Sequence, residues 1–322
     1  MEKDLTGASE PPKTTYLDKE RFCESRFSDE FPFWHLFTQG KLTEILFISE
    51  EDFRFVTNLI GICADRFPDV KMYTFVIMNN HVHEILSGKQ ERCQEMFDMF
   101  YARLQRYFGN QKRTVDLTHF KATLLPITDL KALRNEIVYV NRNGYVANSA
   151  YSPFSYPWGA GNLYFSSLSA TLQMINWTPF NALSLRAQRR FGKSKDTVVS
   201  NQIKVYQDII FIPSFCYIKE GESFFRDAHH YFSLLSRNYE ANSLIAKKLG
   251  DSMIVSDEEM YYVACYLSES SYNVKKLTLL TPCAKLDIAK TLHFDYNATN
   301  QQLRRILKLS QEEINTLFPK SI

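Results

Sequence analysis

Two histidines one residue apart, His81 and His83, sit in the apolar run Phe75-Val76-Ile77-Met78-Asn79-Asn80-His81-Val82-His83-Glu84-Ile85-Leu86. Side chains alternate along a strand, so both imidazoles project from one face with Cα atoms about 6–7 Å apart. Two such rings can grip one divalent ion, or they can be half-buried strand histidines with ordinary hydrogen-bond partners. Tyr139 and Asn143 lie four residues apart in Arg134-Asn135-Glu136-Ile137-Val138-Tyr139-Val140-Asn141-Arg142-Asn143, a spacing that shares a helix face. A tyrosine facing a two-histidine metal site suits phosphodiester chemistry: the metal polarises the phosphate and the phenolate attacks it. Asn143 would add an oxygen ligand or orient the phosphate. Glu84 points away from the histidines, to a strand face where an apolar residue would be more comfortable.

The elements that must position these groups follow from periodicity and punctuation. Phe33 to Thr38 reads as a strand closed by Gln39-Gly40. Ser49-Glu50-Glu51-Asp52 opens a helix whose apolar residues Phe53, Phe55, Val56, Leu59, Ile60 and Cys63 end before Pro68. Strands at Val70 to Met78 and His81 to Leu86 are joined through Asn79-Asn80. A helix over 91–108 ends at Gly109-Asn110, and a strand follows at about Phe120 to Ile127. Thr128 or Asp129 caps a third helix that carries Tyr139 and ends near Asn143-Gly144. The order β-α-β-β-α-β predicts an α+β fold, a ferredoxin-like sandwich with a central antiparallel sheet.

Residues 1–25 hold Gly7, Pro11, Pro12 and many charges, and read as a disordered tail. A first domain spans 26–160. Residues 161–322 read as an all-α C-terminal domain, with short helices at 284–293, 299–308 and 311–318. Those three are compatible with a helix-turn-helix near 284–318 or with a plain small bundle. Ser310 and Glu313 form a capping box.

Composition is that of an ordinary globular protein: 322 residues, 45% hydrophobic, 14% aromatic and a net charge of +2. Six widely spaced cysteines without Cys-x-x-Cys read as reduced thiols in a cytoplasmic protein. No run of eighteen apolar residues predicts a membrane span. Net charge neither requires nor excludes nucleic acid, but cations cluster locally. Arg103, Arg106, Lys112 and Arg113, interleaved with Tyr101 and Tyr107, would offer phosphate contacts and stacking rings to an unpaired strand. A solvated helix face with inward aromatics is the alternative. Arg186, Arg189 and Arg190, with Lys193 and Lys195, form the densest basic cluster and a second candidate DNA contact.

Met78-Asn79-Asn80-His81-Val82-His83, then Tyr139-Val140-Asn141-Arg142-Asn143-Gly144, then Tyr156-Pro157-Trp158 together resemble the single-tyrosine HUH transposases. The REP-associated tyrosine transposases are the nearest branch, and the likeness covers about residues 30–160. It implies that His81 and His83 hold Mg²⁺ or Mn²⁺ with Asn143, and that Tyr139 is the catalytic nucleophile. The implied substrate is single-stranded or hairpin DNA, cut through a covalent 5′-phosphotyrosine, by a monomer or homodimer in a prokaryotic cytoplasm. A domesticated, non-catalytic hairpin-binding protein of the same fold is the alternative. Asn79 and Gly144 stand where that branch has proline, and Glu84 where it has an apolar residue.

Overall fold

A computed structural model describes residues 15–27, 31–147, 151–196, 198–237, 239–249, 255–296 and 298–318. The first half runs α1 (Tyr16–Arg26), β1 (Phe33–Phe37), α2 (Glu50–Arg66), β2 (Lys71–Ile77), β3 (Val82–Ser87), α3 (Gln90–Asn110), β4 (Thr123–Ile127) and α4 (Leu130–Val146). Its strands form one antiparallel sheet in the order β2-β3-β1-β4. The protein is thus α+β, with β3 in the interior of the sheet.

Local chemistry accounts for the helices. Ser49 and Asp52 form a capping box at the start of α2, and Asp129 caps α4 by accepting from Ala132 N. Asp52 also receives Tyr107 Oη at 2.7 Å and Arg113 at 2.8 Å, which ties the start of α2 to α3 and the segment after it. Phe55 stacks on Tyr107 with ring centroids 3.9 Å apart. The helix α2 packs on α3, while α4 lies on β2 and β3 with later helices behind it.

Residues 1–14 of the expected disordered tail lie outside the described residues. Tyr16–Arg26 is a helix with a Thr15–Asp18 capping box, so residues 16–25 are not a disordered tail. It docks because Glu20 binds Arg134 at 2.6 Å and Arg226 at 3.1 Å. Two cations reaching across the fold supply what the polar composition of the segment does not reveal.

The second half is not all-α, which corrects the sequence expectation. It runs α5 (Leu168–Gln173), β5 (Thr178–Pro179), α6 (Leu185–Gly192), β6 (Lys204–Tyr206), β7 (Ile209–Ile210), α7 (Ile218–Ser223), α8 (Ala228–Arg237), α9 (Tyr239–Leu249), α10 (Asp257–Tyr272), α11 (Pro282–Tyr296), α12 (Asn300–Leu307) and α13 (Gln311–Leu317). Strands β5, β6 and β7 make a second, three-stranded sheet. Strands of two or three residues are too short to register as periodic patterns. The β6–β7 hairpin is held to α2 by Asn58, whose Nδ2 donates to Asp208 O and whose Oδ1 accepts from Ile210 N, both at 2.8 Å.

The outer edge of β2 is covered by later chain. Ile77 N donates to Trp158 O, Ala160 N to Phe75 O, and Tyr217 N to Met72 O. Gly159 makes this approach possible, since a Cβ there would stand 2.7 Å from Phe75 O. The edge is therefore not open to a second chain. The three short C-terminal helices expected from sequence are α11, α12 and α13; α11 and α12 pack with α10, and α13 packs on α12. Among the described residues no helix is long and apolar enough to cross a membrane.

Glu84 pairs in register with Leu36 and Phe75 and is 3% exposed. It faces the α2 and α3 layer, where it acts electrostatically on Cys63 and Cys93. Burial pushes its carboxyl from 4.5 up to about 8. The folded state thus keeps a proton that the unfolded chain has lost. The stability this gives is full below pH 4.5 and falls as pH rises toward 8, by up to about 1.4 kcal/mol per pH unit. Glu84→Gln is expected to flatten that slope and to raise the urea midpoint at pH 7.5 but not at pH 4; an unchanged slope in denaturation curves would refute this.

Candidate active site

Strands β1 and β3 are neighbours in the sheet, with His35 opposite Ile85 and Phe37 opposite His83. Alternation therefore puts His35 and His83 on the same face, the face that α4 covers. On α4, Glu136, Tyr139 and Asn143 recur at i, i+3 and i+7, so one helical stripe carries all three. Packing that stripe on that face assembles the site.

Its centre is a buried hydrogen-bonded chain. Glu136 Oε2 lies 2.7 Å from His35 Nδ1, and His35 Nε2 lies 3.0 Å from His83 Nδ1. Both histidines are 0% exposed and Glu136 is 5% exposed. A carboxylate only accepts hydrogen bonds, so neutral imidazoles have one consistent proton arrangement here. With both rings neutral, His35 Nδ1 donates to Glu136, His83 Nδ1 donates to His35 Nε2, and Nε2 of His83 carries the lone pair. That is the tautomer a metal-ligating histidine needs, oriented by a partner behind it.

His81 immediately precedes β3, and its ring centroid is 4.9 Å from that of His83. Two imidazoles this close can share one ion at the ~2.1 Å bonds usual for such ligands. Asn80 organises the surroundings. Its Oδ1 meets His81 Nδ1 at 2.6 Å, and its Nδ2 donates to Gly40 O and Thr43 O. Leu46 N and Phe47 N both donate to Asn79 O. The segment after β1 is thereby held over His81, and a Cβ at Gly40 would come within 2.7 Å of His81 Nδ1.

The Tyr139 ring lies 5.7 Å from His83 and 6.1 Å from His35, centroid to centroid, and is 1% exposed. Asn143 is buried one turn farther along α4. Gly144 faces the ring of Tyr156, which a Cβ at that position would enter. Tyr156 Oη donates to Ile77 O at 2.6 Å, so this ring braces the end of α4 against β2. Burial raises the Tyr156 phenol above its usual value, which leaves it a neutral donor.

The structure therefore brings together His81, His83 and Tyr139, with Asn143 buried one helical turn beyond Tyr139 on α4. It adds His35 and Glu136, which no motif spacing marks. The strand order was the signal: β1 beside β3 puts His35 next to His83 once the register is known. Among the described residues no group of three or more His, Cys, Asp or Glu side chains forms a ready-made metal site. The donor set is two imidazoles, which leaves positions for phosphate oxygens and water.

The basic candidates lie elsewhere. Arg103 is buried and paired with Asp196 at 2.8 Å, and Arg113 is half-buried against Asp52 and over the Phe108 ring. Tyr107 is in the core, and Tyr101 donates to Leu117 O. Arg106 and Lys112 are exposed, as are Arg186, Arg189 and Arg190 on α6, where Arg190 pairs with Asp208. Comparison with known protein families, curated proteins and solved structures finds no match for this chain.

Removing the carboxylate behind His35 tests the buried chain. Glu136→Ala is expected to weaken Mn²⁺ binding about 10–100-fold in calorimetric titration, because His83 loses its fixed tautomer and orientation; unchanged affinity would remove the orienting role.

Proposed function

We propose that this protein is a metal-dependent enzyme that nicks and rejoins single-stranded or hairpin DNA through Tyr139, in the manner of the single-tyrosine HUH transposases. One observation carries the reading: the motifs His81-Val82-His83 and Tyr139 to Gly144 meet with the Tyr139 and His83 rings 5.7 Å apart, and Tyr156 of the third motif packs on Gly144. The order β2-β3-β1-β4, with crossover helices α2 and α3 on one face, supports a ferredoxin-like sandwich beneath the site.

Tyr139 Oη attacks the scissile phosphorus. A tyrosyl-phosphorus bond forms at the 5′ side, the bond to the leaving 3′ oxygen breaks, and the proton the phenol gives up is matched by the one that oxygen takes up. The reverse attack by a 3′-hydroxyl rejoins the strand and releases the phenol. Mg²⁺ or Mn²⁺, when held by His81 and His83 with Asn143, would neutralise charge on the phosphate. Glu136 and His35 keep His83 in the ligating tautomer, and Tyr156 holds the helix that carries the nucleophile.

Neither Tyr139 nor His83 is open to solvent, so a strand reaches them only after the surrounding chain moves. This closure favours a second reading, a hairpin-DNA-binding protein of the same fold that does not cut. A hydrolase using Glu84 beside the histidines is disfavoured, because Glu84 faces the opposite helix layer.

The test is incubation with labelled hairpin oligonucleotides from the flanks of its own gene, with Mn²⁺ or Mg²⁺, read by denaturing gel and mass spectrometry. A covalent adduct on Tyr139 is expected, lost in Tyr139→Phe and in His83→Ala, and close to wild type in Glu84→Gln. Binding without an adduct under either metal would move the assignment to the non-cutting reading.

A further inference from the structure

A groove of about 650 Å³ opens beside the candidate site, between the start of α2, the 151–158 segment and the tip of the β6–β7 hairpin. Its size is within the ~300–1,000 Å³ usual for small-molecule sites. Its wall is aromatic. Trp158 stacks on Phe53 with centroids 5.4 Å apart and planes 22° from parallel, and Tyr151 stands edge-on to Tyr156. Ile48 at the rim is 70% exposed. Next to it lies a second groove of about 290 Å³, which also contains Arg54 and Asp208 and adds Arg190 and Lys193 from α6 and its C-terminal cap. The two make one track, aromatic near Tyr156 and basic toward α6.

Both walls of the track continue into the site. Tyr156, two residues before Trp158, seats on Gly144 and holds Ile77 O. Ile48 and Ser49 follow directly on the segment that Asn79 and Asn80 hold over His81.

We propose that this track binds the unpaired DNA strand, with a base stacked against the Trp158–Phe53–Tyr151 wall and the adjoining phosphates beside Arg54, Arg190 and Lys193. The ligand class rests on the DNA-nicking reading, and the inference adds the path the strand takes. An unpaired base offers a π-face whatever its sequence, whereas a duplex keeps its bases stacked on each other. The cations are already paired, Arg54 with Glu50, Arg190 with Asp208 and Lys193 with Glu51. Phosphates therefore exchange for carboxylates rather than filling an empty basic cleft. Stacking supplies most of the affinity, and the salt dependence is shallower than in a purely basic groove.

Full-length Tyr139→Phe protein in EDTA binds without cutting, which separates this track from the chemistry. An iododeoxyuridine-substituted oligonucleotide of about 12 nucleotides, within the span of single-strand sites, is irradiated with it and the cross-links are mapped by mass spectrometry. Cross-links at Trp158, Tyr151 or Phe53 are expected, with none from the matching duplex. Tyr151→Ala, at the half-exposed rim where folding is not at stake, and Trp158→Ala are each expected to lower single-strand affinity about tenfold or more in fluorescence anisotropy. Trp158→Phe, which keeps a ring, is expected to lose far less. Cross-links elsewhere with full affinity in Tyr151→Ala, or no single-strand binding at all, would overturn the proposal. Cross-links in the track from a wild-type protein that forms no adduct would uphold it and overturn only the nicking chemistry.

Discussion

The hydrogen-bonded chain Glu136–His35–His83 joins α4 to the sheet, and the placement of every other group in the site depends on it. A carboxyl and two imidazoles at nearly zero exposure are tolerable only because each is hydrogen-bonded to the next. The chain accepts one register of α4 over β1 and β3. A rotation of the helix would strand Glu136 in an apolar layer, at the cost of a buried unpaired carboxyl. With that register set, Tyr139 one turn along has little choice but to lie over the histidines.

The two faces of the sheet handle buried carboxyls in opposite ways. On the α4 face, Glu136 has a histidine partner and serves orientation. On the α2 and α3 face, Glu84 sits among Cys63, Cys93 and apolar residues, and burial keeps it protonated at neutral pH. The strand that carries His83 also carries Glu84, and period-two alternation keeps the two environments apart.

The chain after α4 braces what precedes it. Tyr156 through Gly159 closes the edge of β2 and supports the end of α4, while Tyr231 of α8 accepts from Asn141 Nδ2 at 3.0 Å and Arg134 donates to Phe224 O at 2.6 Å. Helix α4 is therefore held from the sheet side and from behind.

Much of the first half was legible in the sequence. Capping residues Ser49, Asp129 and Ser310 start the helices expected of them, and the spacing of His81, His83, Tyr139 and Asn143 was enough to predict that they share faces. Those are local properties, set by backbone periods and cap chemistry within a few residues. The partnership of His35 with His83 and Glu136, the docking of α1 through Glu20, the burial of Arg103 against Asp196 and the aromatic track at Trp158 joined residues 48 to 206 positions apart. The three-stranded sheet of the second half was equally hidden, its strands too short to show a period. Only tertiary structure decided these, because each is a contact across strands or layers whose register is chosen by packing the whole core rather than by any stretch of sequence.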